Sequence, residues 1–298
     1  MTQNGKGGSR RRAGKSLRAP QNVGKLVAFQ GELGAFSHAA ALKVLGERIK
    51  LLPCKSFKDV FESLKSDSAR YAVIPIENTL HGSVHENYDH LLDYGFVISG
   101  ETSIRISHQL ITVPGVRFRD IKRVFSHPVA LNQCKRFFDE HQNIEAVPHY
   151  DTAGSVKLLT ERRLMDGGAI ASTVAAQTYG GVIVRRNIED MRQNFTRFFL
   201  LTKHALSSPA AIKRRKSSIV FATTNTPGAL FRAMACFALR DINLTKIESR
   251  PFRGKPWEYL FYVDFLASSE EKIAQSALAN LKECTQFVKL LGSYQPTP

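Results

Sequence analysis

The chain has 298 residues, 43% of them hydrophobic, and carries a formal net charge of +16. That length exceeds a single domain of roughly 100 to 200 residues and predicts two. No apolar run approaches the roughly 18 residues that span a bilayer, and no charged head followed by an apolar stretch marks a secretory signal, so a soluble, intracellular protein is expected.

Seven cations (Lys6, Arg10, Arg11, Arg12, Lys15, Arg18 and Lys25) fall in the first 25 residues, which hold no acid. A second knot follows at Lys213, Arg214, Arg215 and Lys216. With the charge concentrated there, and no basic helix or aromatic-basic sheet to read bases, nucleic-acid binding is not expected. Residues 1–24 read as a disordered basic arm in a cytoplasmic protein; the Arg-rich, acid-free composition also fits an organelle-targeting remnant, with a plastid as the alternative home. Cys54, Cys134, Cys236 and Cys284 are scattered, without the paired spacing of a zinc site or redox dithiol.

In chain order, KLVAFQ (25–30) predicts a strand, Gly31 to Gly34 a turn, and Ser37 the N-cap of a helix. YAVIPI (71–76), RVFSHPV (123–129) and GAIAS (168–172) predict further strands, with helices in NQCKRFFDEH and TVAAQTYG and a helix cap at Asp151. Strands alternating with helices predict an α/β unit over 25–205 with mainly parallel pairing, whose ligands gather at strand carboxyl ends. SSPAAIKRRK marks a linker, taken as 206–216. Beyond it, over 217–295, SSIVFATT, GALFRAMACFALR, LTKIESR, WEYLFYVDF, a helix near 270–284 and a strand near 287–294 give the order βαββαβ, a ferredoxin-like sandwich. Pro227 signals the first turn of its first helix.

Candidate chemistry lies at the ends of these strands. NFTRFFLL sets a hydroxyl (Thr196), a permanent cation (Arg197) and an aromatic face (Phe198) side by side, a triplet able to hold a small, doubly anionic, ring-shaped substrate; a solvated arginine at a strand edge is the plain alternative. The turn after Ile76 offers Asn78 and Ser83 near Gly82, a donor-rich concavity suited to a carboxylate or simply a closed turn. Ser126 with His127, and Thr152 behind Asp151, occupy comparable positions. Asn225 to Leu230 and Glu248 to Pro251 could receive the carboxylate and ammonium of an amino acid, or form structural turns. No two-histidine metal spacing and no complete dinucleotide loop occur, so neither metal nor cofactor is called for. His81, His85, His108 and His127 lie near the candidate site.

Taken together, FQGELGAFSHAAA (29–41), IPIENTLHGSVHENYDHL (74–91), GETSIRISHQL (100–110), FSHPVALNQC (125–134), DTAGSV (151–156), GAIASTVAA (168–176) and NFTRFFLL (194–201) resemble the prephenate dehydratase family, including the plant-type arogenate dehydratases. NTPGALFRAM and KIESRP resemble the two ligand motifs of an ACT domain. The pattern departs from the family's at Glu32, where proline usually follows glycine, and at Val129, where glutamine is frequent. The resemblance implies a catalytic domain of two α/β lobes, similar to type II periplasmic binding proteins, followed by an ACT domain. It implies decarboxylating dehydration of prephenate to phenylpyruvate, or of arogenate to phenylalanine, with no cofactor.

By the same resemblance, Thr196 faces the leaving hydroxyl, Arg197 binds a carboxylate or braces the site, and Phe198 shapes the ring pocket. Asn78, Ser83, Ser126, Thr152 and Ser172 supply oriented donors. Phenylalanine is expected to bind Asn225, Pro227, Gly228, Ala229 and Leu230 together with Glu248, Ser249, Arg250 and Pro251 between paired ACT domains, as effector of a homodimer or homotetramer. The competing classes are an aromatic-metabolite sensor without turnover and nucleic-acid binding through the tail.

Overall fold

The computed structural model describes residues 26–206 and 215–296; the basic tail and most of the linker region lie outside them. Three sheets organise the described residues. The first is built on β1 (Leu26–Gln30), β2 (Lys50–Cys54), β3 (Tyr71–Asn78), β5 (Val97–Arg105) and β11 (Phe195–Thr202), in the order β2-β1-β3-β11-β5, with β4 (Gly82–Ser83) paired to β3. The second runs β10 (Val182–Arg185), β6 (Gln109–Thr112), β9 (Gly167–Ala171), β7 (Arg123–Ser126), β8 (Glu145–Pro148).

Pairing is mixed where the sequence predicts mainly parallel strands. β1 runs parallel to β2 and β3, but β11 is antiparallel to both β3 and β5. In the second sheet β7 is parallel to β8 and β9, while β6 and β10 are antiparallel. The reason is topological: the chain leaves the first lobe after β5 and re-enters it at β11, so each lobe acquires strands of reversed direction.

The helices cover the sheet faces with apolar stripes. In α2 (Phe57–Lys65) Val60, Phe61 and Leu64 recur at helical spacing and are buried. Its start is fixed by a capping box in which Ser56 and Asp59 each accept the other's backbone N–H at 3.1 Å, an arrangement whose loss costs about 0.5–2 kcal/mol. In contrast, α1 (Phe36–Leu45) has Ala35 as its N-cap, two residues before the Ser37 cap that the sequence predicts, and Ser37 is buried inside its first turn.

The first lobe also carries α3 (His85–Tyr94); the second carries α4 (Pro128–Asn132), α5 (Lys135–Glu140), α6 (Thr152–Arg162) and α7 (Thr173–Tyr179). Asp151 caps α6 as expected, accepting from Gly154 N at 2.8 Å.

The third sheet, β13 (Leu244–Pro251), β14 (Tyr259–Phe265), β12 (Lys216–Thr223), β15 (Phe287–Tyr294), is antiparallel and carries α8 (Ala229–Ala238) and α9 (Lys272–Glu283) on one face. This is the ferredoxin-like order, ACT-like in topology. Pro227 stands before the helix: Gly228, at φ +74°, turns the chain into α8. Lys216, expected in a solvated linker, is the buried first residue of β12.

The open face of this third sheet packs on the first lobe. Val220, Ala222, Leu260, Tyr262 and Leu291 share one apolar cluster with Phe61, Ile74, Leu91 and Phe199. Backbones approach closely at Gly292, where a Cβ would stand 2.1 Å from the Ile98 carbonyl oxygen. Gly292→Ala is therefore expected to destabilise the protein by about 1–3 kcal/mol through overpacking against backbone. Thermal unfolding checks this; an unchanged Tm would show that the seam is looser than described.

Candidate active site

Strand direction sets where chemistry can occur. The carboxyl ends of β1, β3 and β5 and the amino end of β11 share one edge of the first sheet. The carboxyl ends of β7, β8 and β9 share one edge of the second. The chain crosses between these edges twice, at 106–108 and at 186–194. The crossings are stitched together: Glu189, buried, accepts from Arg105 Nη2 at 2.6 Å and from His108 N at 2.8 Å, and Ile106 N donates to Asn194 O at 2.8 Å.

Facing edges also touch directly. Ser172 Oγ donates to Gly34 O at 2.6 Å. At Gly34, φ is +91° and a Cβ would stand 2.6 Å from the Ala175 Cα, so glycine is needed on both counts. Glu32, where the family usually has proline, accepts from Tyr150 Oη at 3.0 Å and pairs with Lys157 at 3.3 Å. A cavity of about 670 Å³ opens beside this contact, lined by Gly31, Glu32, Cys54, Lys55, Tyr150 and Asp151. Burial, with the nearby Glu32 charge, holds the Asp151 carboxyl above its ordinary value against the pull of the Gly154 and Ala153 N–H groups.

Thr196 lies at the first edge, opposite Asn78 on β3 and Ile104 on β5. The Asn78 side chain explains the local structure. Its Oδ1 accepts from the N–H groups of Leu80 (2.9 Å) and His81 (3.0 Å), closing the turn, and this fixes Nδ2 toward Asn194 Oδ1 (2.8 Å) and Thr196 Oγ1 (2.9 Å). Because Thr196 Oγ1 is an acceptor from Asn78, its own proton is left to donate elsewhere.

Strand alternation sends the neighbours of Thr196 to other places. Arg197 points to the opposite face, where Nε donates to Glu101 Oε2 at 2.7 Å, Nη2 donates to Tyr294 Oη at 3.1 Å and Nη1 pairs with Asp264 Oδ2 at 2.7 Å. Burial opposes its charge, but Asp264, Tyr294 and Glu101 outweigh burial and hold the guanidinium protonated. Of the two roles the sequence leaves to Arg197, this geometry matches bracing and leaves no arm for a substrate carboxylate. The Phe198 ring is buried under α1 with Val27, Ala40, Ala41 and Val73, a core position.

The predicted donors divide similarly. Ser83 pairs with Glu77 across β3 and β4, and both face the C-terminal unit: Ser83 Oγ donates to Glu248 Oε2 at 2.7 Å and accepts from Lys246 Nζ at 3.0 Å. Ser126 is fully buried with its proton given to Ile170 O at 2.7 Å, so it has no donor to offer. Ser172 caps α7 and spends its proton on Gly34. Thr152 stands half-buried at the first position of α6.

Two further groups lie near the edge: His108, named from the sequence among the nearby histidines, and Asn194, which was not. Asn194 is buried, and its Nδ2 lacks a hydrogen-bond partner among the described residues. His108, also buried, bonds Gln133 Oε1 through Nε2 at 2.7 Å, and Gln133 Nε2 reaches His81 at 2.8 Å, so one glutamine ties the crossing to the turn after β3. Burial keeps His108 below its ordinary pKa, and its Nδ1 has no partner among the described residues. Asn194 lies in the NFTRFFLL segment, where a lone buried amide was the available signal.

In the C-terminal unit a cavity of about 130 Å³ is lined by Asn225, Ala229, Leu230, Tyr259 and Phe261 among others. Pro227 and Gly228 form the turn beside it. β13 is split by alternation: Ser249 and Pro251 are exposed, whereas Glu248 faces Ser83 and Arg250 pairs with Asp89 at 3.0 Å. Glu248 and Arg250 therefore grip the first lobe and do not face the cavity with Asn225.

Comparison with known proteins agrees with this architecture. A family model described as prephenate dehydratase matches residues 27–206. The chloroplastic arogenate dehydratase/prephenate dehydratase 2 of Arabidopsis thaliana is 44% identical over 278 residues, covering 90% of this chain and 72% of that protein. A solved structure described as GqqA, a novel type of quorum quenching acylase, has a TM-score of 0.85 at 30% identity over 92% of this chain and 99% of that one. The prephenate dehydratase of Arthrobacter aurescens in complex with L-Phe has a TM-score of 0.81 at 31% identity over 92% of each chain. By the family model and this level of identity, the chain belongs to the prephenate dehydratase family.

Proposed function

We propose that this chain is a prephenate dehydratase, with arogenate as the alternative substrate. The observation that carries the reading is the Asn78 amide donating to Thr196 Oγ1 at 2.9 Å, which leaves the threonine proton for a departing hydroxyl at the facing edge. In the reaction the bond from the ring to its carboxylate breaks and CO2 leaves. Its electron pair forms the aromatic ring as the ring C–O bond breaks, and the hydroxide takes a proton to leave as water.

Aromatisation drives the step, so the protein's part is orientation and one proton. Thr196 gives that proton and regains one from water. Asn194 Nδ2, which has no partner among the described residues, and Thr152 at the start of α6 are donors for the spectator carboxylate, while a tight cation on the departing carboxylate would hold back its loss. The withdrawal of Arg197 to the opposite face suits this requirement. Arogenate differs by an ammonium in place of a ketone, so preference rests on one acceptor contact.

A second reading, an amide-cleaving acylase, is favoured by the likeness to GqqA. It would make Thr196 a nucleophile, which needs a base on Oγ1; the partner there is an amide donor.

The C-terminal unit reads as an ACT domain that binds phenylalanine in the cavity beside Asn225 to Leu230, supported by the L-Phe complex of the Arthrobacter relative. Exposed Phe231, Leu239, Ile247 and Trp257 on this unit support pairing of two such units in a homodimer or homotetramer. The relative's chloroplastic name supports the plastid over the cytoplasm.

Incubation with prephenate should yield phenylpyruvate by its ultraviolet absorbance, and with arogenate phenylalanine. Release of acid from an N-acyl amide without either product would reverse the two readings. Thr196→Ala should lower kcat by about 100-fold or more with a small change in KM; a full rate removes Thr196 from the mechanism. Gly228→Val, strained at φ +74°, should abolish inhibition by phenylalanine, and equal inhibition in that variant would move the effector site elsewhere.

A further inference from the structure

Behind the catalytic strand, on the face away from the facing edges, lies a buried set of charges shared between the first lobe and the C-terminal unit. Arg197 is held by Glu101 from β5 and, across the seam, by Asp264 and Tyr294. Asp264 is set in turn by Ser218 Oγ at 2.5 Å, and Tyr294 Oη lies 2.6 Å from the same Ser218 Oγ. Lys216 Nζ pairs with Glu101 at 3.2 Å. Beside them, Lys246 Nζ pairs with Glu77 at 2.9 Å.

Glu77 and Arg197 are register partners, next to the Asn78–Thr196 pair. The β3–β11 register slips between Arg197 and Phe198. Such a bulge re-aims the side chains around it and persists only where something holds it. Here the holding groups are Glu101 from β5 and, from the C-terminal unit, Asp264 and Tyr294, and that unit contacts neither Thr196 nor Asn78 through any of these bonds.

We propose that Asp264 and Tyr294 are positioning residues for the dehydration: by fixing Arg197 from the far face they fix the bulge, and with it the aim of the Thr196 hydroxyl. This rests on the reading of Thr196 given above. The C-terminal unit is then a structural part of the catalytic site and not only an appended sensor. Because misplacement of a reacting group is paid in rate and not in substrate affinity, the loss falls on kcat.

The test uses the full chain. Asp264→Asn keeps size and removes the charge opposite Arg197; Tyr294→Phe removes only the hydroxyl. With prephenate and arogenate as probes, Asp264→Asn is expected to lower kcat by about tenfold with KM within about twofold, and Tyr294→Phe to lower kcat by about threefold. An unchanged kcat, or a raised KM at unchanged kcat, in a folded Asp264→Asn protein overturns the proposal. If that variant fails to fold, Tyr294→Phe decides by the same criterion. A wild-type chain inactive on both acids defeats the dehydratase reading and this proposal together, whereas an active wild type with unaffected variants defeats the positioning role alone.

Discussion

The return of β11 from the second lobe, to pair antiparallel between β3 and β5, is the constraint on which the rest of the site depends. It requires two crossings between the lobes, and it sets Thr196 at the edge that the crossings span. It also places Asn78 opposite Thr196, where one amide serves both the turn and the hydroxyl. A strand with both neighbours present cannot slip by one residue without exchanging its faces. Such a slip would bring Arg197 to the facing edge and bury Thr196 among Glu101, Asp264 and Lys216.

The charge cluster on the other face is costly in isolation, since each ion loses water on burial. Its members offset that cost through near balance: Arg197, Lys216 and Lys246 face Glu77, Glu101, Asp264 and Glu248 at salt-bridge distances. Apolar packing of the third sheet against Phe61, Ile74 and Phe199 supplies the attraction between the units. The ions then specify one docking geometry, because any displaced arrangement leaves a charge buried without its counterpart.

Much of this was legible in the sequence because strands, turns and helix caps are local. Asp151 as a cap, the βαββαβ order and the strand starts follow from short-range patterning. The partners of Arg197 were not legible: alternation shows that it faces away from Thr196, but what meets it there includes Asp264 and Tyr294 of the third sheet, 67 and 97 residues along the chain. The partners of Ser83, Glu248 and Arg250 were illegible for the same reason, since each side chain meets one from the other unit. The partner of Ser126 was illegible because a buried hydroxyl on a central strand pairs with a carbonyl of the neighbouring strand. Mixed pairing escaped because strand direction depends on which lobe the chain has just left.

The two crossings sewn together by Glu189 resemble the spine of a book. Such a spine lets the covers swing but resists sliding one cover along the other, since shear would pull the carboxylate from Arg105 and the His108 N–H at once. Each closure must then bring the same residues of the two edges opposite one another, so alignment of a bound molecule is set by the backbone before any side chain adjusts.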